Sequence, residues 1–421
     1  MDRLVIRGGK RLEGSVAVRG AKNAALPQIA ASLLSAAPLE LGNVPEVTDV
    51  VTMVALMQEF GVTAEMGAGR RLILNAAAAR SAEAPYDMVR KMRAGILVLA
   101  PLLARFGRAR VSLPGGCAIG ARPVDLHLKA LAALGAQVDM EGGYISTSVA
   151  GDRLAGGHII FSTPSVGATE TALMASSLAR GETEILNAAR DPEIIDLVRC
   201  LTAMGARIEG AGTHRILVQG VDALTTRARH DLITDRIEAG TYAVAAAITG
   251  GHLEIIGAHL EHLGAVGAAL ENAGVQIWPT DRGLMISRNG PLRGVDIVTE
   301  PYPGFPTDLQ AQFMALMTIA SGASVIRETV FESRFMHVPE LGRLGANIAL
   351  QGSTALVRGV DGLRGAPVMA TDLRASVSLV LAGLVAEGET TVNRIYHLDR
   401  GYESLDKKLV QCGADIERVV S

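Results

Sequence analysis

One short pattern, a helical run closed by glycine and followed by an alternating strand, occurs six times along the chain: LMQEFGVTAEM, LAALGAQVDM, LTAMGARIEG, LENAGVQIWP, LGRLGANIAL and LVQCGADIER. The glycines are Gly61, Gly135, Gly205, Gly274, Gly345 and Gly413, a period of about 70 residues, which is the signature of a repeat architecture. Each glycine stands where a helix C-terminus calls for a left-handed residue, and the residues after it alternate as a strand does. Stretches such as GTHRILVQG, DRGLMISRNG and STALVRG then supply a turn and a further strand. A second helix precedes each surface helix: AKNAALPQIAASLL, VRKMRAGILVLAPLLA, VGATETALMASSLA, RIEAGTYAVAAAIT, FPTDLQAQFMALMTIA and DLRASVSLVLAGLVA. These are rich in alanine and apolar nearly all round, as befits buried helices packed closely on small side chains.

The unit therefore reads βαβαββ, an α/β fold, and it cannot cover its own apolar faces. Three units about a pseudo-threefold axis, with sheets outside and the alanine-rich helices inside, would bury them, and six units would make two such domains. A linear solenoid of stacked units is the alternative. Polar residues separate the two. The starts of the expected buried helices carry Lys22 and Asn23, Arg93, Ser165 to Thr169, Arg236 and Glu238, Asp308, and Asp372 with Arg374. Loops before the surface helices carry Cys117, Arg122 and Asp125, then Arg190 and Asp191, Arg334, and Asp399 with Arg400. A solenoid would spread these along a surface, whereas two three-unit domains can gather them at one cleft. Helix N-termini and arginines together suit a multiply charged anion, so the expected ligand is phosphate-rich and bears a carboxylate.

Other classes recede on composition. The 421 residues carry a formal charge of −3 and only 3% aromatics, which leaves neither the basic face nor the stacking platforms of a nucleic-acid binder. No signal-peptide pattern opens the chain, and no apolar run reaches the roughly 18 residues of a membrane helix, so no membrane insertion is expected. Three cysteines at long spacing speak against a disulfide framework and fit a cytoplasmic location. No phosphate loop of the GxxxxGK[ST] kind, GxGxxG fingerprint or Gly-x-Ser-x-Gly elbow occurs.

In LPGGCAIGARPVDLH, residues 113–127, two glycines precede Cys117 while Arg122 and a helix start follow it. Both neighbours favour thiolate, yet free cysteines are often simply buried, and the loop alone leaves a reactive and a structural thiol equally open. Cys200 and Cys412 read as packing residues. Without a second ligand at the right spacing from Cys117, no metal site is expected, and His259 and His262 read as helix surface.

Six motifs in order, RGAKNAALP (19–27), the cysteine loop, FPTDLQAQ (305–312), TVFESRFMHVPEL (329–341), MATDLRASVSLVLAGL (369–384) and IYHLDRGYE (395–403), resemble the UDP-N-acetylglucosamine 1-carboxyvinyltransferases along the whole chain. The resemblance implies an inside-out α/β barrel: two domains, each of three βαβαββ repeats around buried parallel helices. Domain 1 is expected over 22–229 and carries the cysteine loop. Domain 2 is expected over 1–21 plus 230–421, with RARHDLITDR as linker and the active site in the cleft between the domains. The implied reaction moves the enolpyruvyl group of phosphoenolpyruvate to the 3'-hydroxyl of UDP-N-acetylglucosamine, releasing phosphate by addition and elimination, as the first committed step of peptidoglycan synthesis. No cofactor is implied.

By resemblance, Cys117 protonates C3 of phosphoenolpyruvate, can carry a covalent adduct and would be alkylated by fosfomycin. Asp308 meets the sugar hydroxyl. Lys22, Asn23, Arg122 and Arg400 bind phosphoenolpyruvate, with Arg334, Asp372 and Arg374 lining the same site; Lys22 and Arg400 are counted with Cys117 and Asp308 as catalytic. Arg93, Arg122, Pro123, Val124, Asp125, Leu126, Ser165, Val166, Gly167, Asp308 and Val330 match contacts to the sugar nucleotide. Thr163 departs from members with lysine there and carries no assignment. Rival readings are the related shikimate 3-phosphate transferase, a natural-product relative with another nucleotide acceptor, and a non-catalytic sugar-nucleotide sensor. The sequence sets no oligomeric state.

Overall fold

A computed structural model describes residues 2–114 and 124–420. Cys117, Arg122 and Pro123 lie outside the described residues. Each of the six glycines closing a helix has a positive φ, between 83° and 113°. After Gly61, Gly205, Gly274, Gly345 and Gly413 the next N–H turns back to the carbonyl five residues earlier, as in Ala206 N to Leu201 O at 2.9 Å and Val275 N to Leu270 O at 3.0 Å. That bond is the Schellman closure, which needs a left-handed residue at the glycine and feeds the chain directly into the next strand.

Six open four-stranded sheets result, and none of them closes on itself among the described residues. They share one pattern, seen in the order Ala228–Asp231, Leu39–Gly42, Arg71–Asn75, Thr63–Gly67: the first pair is parallel and the other two are antiparallel. A parallel pair needs a crossover, and a buried helix supplies it in each repeat.

The chain forms two compact units, one of residues 2–19 and 234–420, the other of 20–114 and 124–233, each with three repeats and its own apolar core. In the first, the helices Arg236–Thr249, Gln310–Met317 and Ser376–Gly383 all pack on one another. A linear stack would keep the first and third apart, so the solenoid alternative falls. The Gln310–Met317 and Ser376–Gly383 helices are buried at every residue. Close approach depends on small residues: a Cβ on Gly240 would lie 2.5 Å from Leu309 Cδ1. In the second unit Lys22–Ala31, Leu99–Phe106 and Val166–Ser176 take the inner place, with Ala168 to Ser176 fully covered.

Two details differ from expectation. RARHDLITDR contains the strand Ala228–Asp231, paired in parallel with Leu39–Gly42, and then Asp235, the N-cap of the next helix. The two compact units divide between Arg19 and Gly20 and between Ile233 and Thr234. Each repeat that opens a unit thus takes its first strand from elsewhere: Ala228–Asp231 for one, Glu13–Ala17, paired with His252–Ile256, for the other. Secondly, Arg93 and Asp308 lie in 3-10 turns, Arg93–Val98 and Thr307–Leu309, just ahead of the helices they were expected to open. Asp372 and Arg374 likewise precede Ser376–Gly383.

Candidate functional site

In the unit of 234–420, a knot of charge forms where loops meet the starts of the inner helices. Arg334, 4% exposed, reaches Asp308 Oδ1 at 2.7 Å and donates to Thr307 Oγ1 at 2.9 Å. Arg374, 1% exposed, lies 3.8 Å from Asp308 Oδ2, pairs with Asp235 Oδ2 at 3.3 Å, donates to Gly401 O at 3.0 Å and sits over the Tyr402 ring. Asp308 therefore stands between two guanidiniums. Burial, the largest influence on each, pushes both arginines down, but their neighbours together outweigh it, Asp308, Asp372 and Glu328 for Arg334 and Asp235, Tyr402 and Asp308 for Arg374, and both are raised. A guanidinium this enclosed orients a neighbour more readily than it receives a ligand.

Asp372 uses Oδ1 to accept from Arg374 N at 2.7 Å and Ala375 N at 2.9 Å, which fixes the turn before its helix. Asp235 caps the Arg236–Thr249 helix through Ile237 N and Glu238 N at 2.8 and 3.0 Å. Arg400 ends the turn Ile395–Arg400, where burial and then Arg400 lower the pKa of His397. Asp399 is held by both Nη atoms of Arg418, at 3.0 and 2.6 Å. Val330 is partly exposed, with its N–H on Glu328.

In the unit of 20–233, Lys22 opens the helix Lys22–Ala31 and lies buried beside Asp49, Nζ to Oδ2 3.4 Å, while Asn23 is half-buried. Residues expected to meet the sugar nucleotide gather around one side chain that sequence reasoning passed over, His127. Its Nδ1 is 2.8 Å from Thr171 Oγ1, and a Cβ on Gly167 would lie 2.9 Å from its Cε1. Its pKa is lowered to about 4, by burial first and then by Arg93, with Asp125 opposing. Val124 precedes the helix Asp125–Ala133, Leu126 is half-buried, and the exposed Asp125 pairs with Lys129 at 3.4 Å. Ser165 caps the helix Val166–Ser176 by accepting from Ala168 N at 3.3 Å. His127 is the last letter of the PVDLH motif, and an apolar helix face gave no sign that its ring would fill the space over a glycine.

Other residues missed were Asp235, Glu328, Thr307 and His337. Asp235 could have been found, because D-x-x-E before an apolar run is a capping signature. His337 is fully buried with neither ring nitrogen hydrogen-bonded, and burial lowers its pKa to about 4, with Asp372 opposing and Arg334 reinforcing. Among the described residues no three His, Cys, Asp or Glu side chains come together as metal ligands, and no helix is long and apolar enough to cross a membrane.

Comparison with known proteins matches residues 6–409 to the family described as EPSP synthase (3-phosphoshikimate 1-carboxyvinyltransferase). A UDP-N-acetylglucosamine 1-carboxyvinyltransferase 2 of Mesorhizobium japonicum is 67% identical over 419 residues, covering all of both chains. A UDP-N-acetylglucosamine 1-carboxyvinyltransferase of Gluconacetobacter diazotrophicus is 60% identical, again over all of both chains. Among solved structures, the enolpyruvyl transferase NikO from Streptomyces tendae superposes with a TM-score of 0.90 at 29% identity, covering 100% of this chain and 99% of that one. EPSP synthase from Acinetobacter baumannii, at 19% identity and a TM-score of 0.78 over all of both chains, shares the fold. Full-length identity at this level, carried by a chain whose six repeats build the same fold, places it in a family: the chain belongs to the UDP-N-acetylglucosamine 1-carboxyvinyltransferases, within the EPSP synthase family.

Proposed function

We propose that this chain transfers the enolpyruvyl group of phosphoenolpyruvate to the 3'-hydroxyl of UDP-N-acetylglucosamine, releasing phosphate, in the cytoplasmic phase of peptidoglycan synthesis. The observation that carries the reading is the full-length identity to curated enzymes of that name. The free thiols of Cys200 and Cys412 are in keeping with a reducing compartment.

The chemistry sets the roles. The sugar oxygen bonds to C2 of phosphoenolpyruvate and gives up its proton, while C3 gains one, which yields a tetrahedral intermediate. Loss of a C3 proton then restores the double bond as the C–O bond to phosphate breaks. Asp308, fixed by Arg334 and Arg374, is the carboxylate for the hydroxyl proton; the two guanidiniums set its direction. Cys117 is the acid for C3. Lys22, Asn23, Arg122 and Arg400 hold the phosphate and carboxylate of phosphoenolpyruvate, and Asp372 steadies the turn bearing Arg374. Arg374, enclosed as it is, acts through Asp308 and not as a direct ligand. Arg93, Arg122 to Leu126, Ser165 to Gly167 and Val330 hold the sugar nucleotide, with His127 as the packing centre of the Gly167 group.

Phosphate release with phosphoenolpyruvate tests this directly. Turnover is expected with UDP-N-acetylglucosamine and not with shikimate 3-phosphate. Release with shikimate 3-phosphate alone, or with neither acceptor, sinks the reading.

A further inference from the structure

Glu328 follows directly on the strand Ala323–Arg327 and is 1% exposed. Its carboxylate receives four hydrogen bonds: Oε1 from Thr299 Oγ1 at 2.8 Å, Val330 N at 2.8 Å and Phe331 N at 3.1 Å, and Oε2 from Thr307 Oγ1 at 2.8 Å. The direction of each hydroxyl is settled by its second partner. Thr299 Oγ1 accepts from Thr329 N at 2.9 Å, and Thr307 Oγ1 accepts from Arg334 Nη1 at 2.9 Å. Backbone N–H and guanidinium groups only donate, so each threonine has its single proton left for Glu328. The order runs from Arg334 to Thr307 to Glu328, and the same Arg334 Nη1 reaches Asp308 Oδ1 at 2.7 Å.

We propose that Thr307 and Glu328 are positioning residues for enolpyruvyl transfer: Glu328 holds the Thr307 hydroxyl so that its oxygen faces Arg334, and this pins the guanidinium against Asp308. The same carboxylate ties down the Val330–Phe331 turn, so one buried group aligns the Asp308 pair together with a segment assigned to the sugar nucleotide. Neither residue touches a reacting atom. The proposal rests on the reaction proposed above.

A purely structural role for Thr307 would follow side-chain volume; a positioning role follows the hydroxyl. Thr307→Val keeps shape and removes the hydroxyl, whereas Thr307→Ser keeps the hydroxyl and removes a methyl. The valine variant is expected to lose about tenfold or more in kcat with KM for both substrates within about threefold, because the lost interaction acts on the transition state. Its thermal midpoint should stay within a few degrees of the parent's, and the serine variant should keep kcat within about threefold. Thr307→Ala, which asks for no new methyl packing, is read in parallel and should match valine. Glu328→Gln is a second route: an amide presents only one acceptor oxygen to four donors, so it too should lower kcat more than it moves KM. Equal activity of the valine and serine variants, or a fully active Glu328→Gln, overturns the proposal. A parent that releases no phosphate with UDP-N-acetylglucosamine overturns the underlying reaction and the proposal with it. A parent that is active while the valine variant is unimpaired overturns the proposal alone.

Discussion

Asp235 does two jobs with two oxygens: Oδ1 caps a helix through two backbone N–H groups, and Oδ2 neutralises the buried Arg374. The two can be separated. Asp235→Asn keeps an oxygen for the cap but withdraws the charge, leaving Arg374 with Gly401 O at 3.0 Å and the more distant Asp308. Breaking a buried ion pair from one side costs about 3–5 kcal/mol when the remaining charge has no compensation. With Asp308 still 3.8 Å away, the lower end of that range is expected. Asp235→Ala removes the cap as well and should cost about 1 kcal/mol more. Urea denaturation of both variants measures the difference, and equal losses would mean that the cap carries no stability here. These roles were only half legible in sequence. The charged residues themselves stand out in motifs, but which oxygen serves which neighbour depends on contacts across more than a hundred residues, as between Asp235 and Arg374. Glu328 and Thr307 escaped although their side-chain contacts span only 21 to 29 residues, because no local pattern marks which hydroxyl meets which carboxylate.

At the scale of the element, the six glycines were readable because no other residue type meets the need so cheaply: each helix ends on a φ between 83° and 113° just where the strand begins. Gly345 isolates that need, since a Cβ there would meet nothing within 4 Å at φ +92°. Gly345→Ala should therefore destabilise by about 1 kcal/mol through backbone strain alone. Gly342, inside the short helix Val338–Arg343, also has open space for a Cβ but no positive φ. Gly342→Ala should stabilise by about 0.4–1 kcal/mol by reducing the freedom of the unfolded chain. Opposite signs at two glycines three residues apart would be seen in denaturant midpoints; a shared sign would refute the conformational account. The strand Ala228–Asp231 was not readable. Its sequence, ARHD, has no alternating apolar pattern, and it is a strand because Leu39–Gly42 offers a parallel edge.

For the molecule as a whole, buried ionisable groups set the response to pH, and they pull in opposite directions. Glu238 is pushed up to about 7, by burial first and against the attraction of Lys408, and Glu170 is raised well above the carboxylate range by burial and by the neighbouring Glu193 and Asp191. A carboxyl raised in the folded state contributes its full stability below the unfolded pKa of about 4.5, and loses it as pH rises through the folded value. His127 and His337, both lowered to about 4 chiefly by burial, behave inversely: their contribution is complete above about 6.5 and is lost as pH falls toward 4. Between pH 4.5 and 6.5 the acids favour the lower end and the histidines the upper, so the stability of the parent should change little across that window. Glu170→Gln removes one of the opposing slopes. The amide imitates a protonated carboxyl, so the variant should match the parent near pH 4.5 and gain on it by up to about 1.4 kcal/mol for each pH unit above. Denaturation curves at pH 4.5, 5.5, 6.5 and 7.5 give the comparison. If parent and variant keep a constant separation across the series, Glu170 titrates alike in the folded and unfolded chain, and the buried carboxyl does not govern stability on the alkaline side.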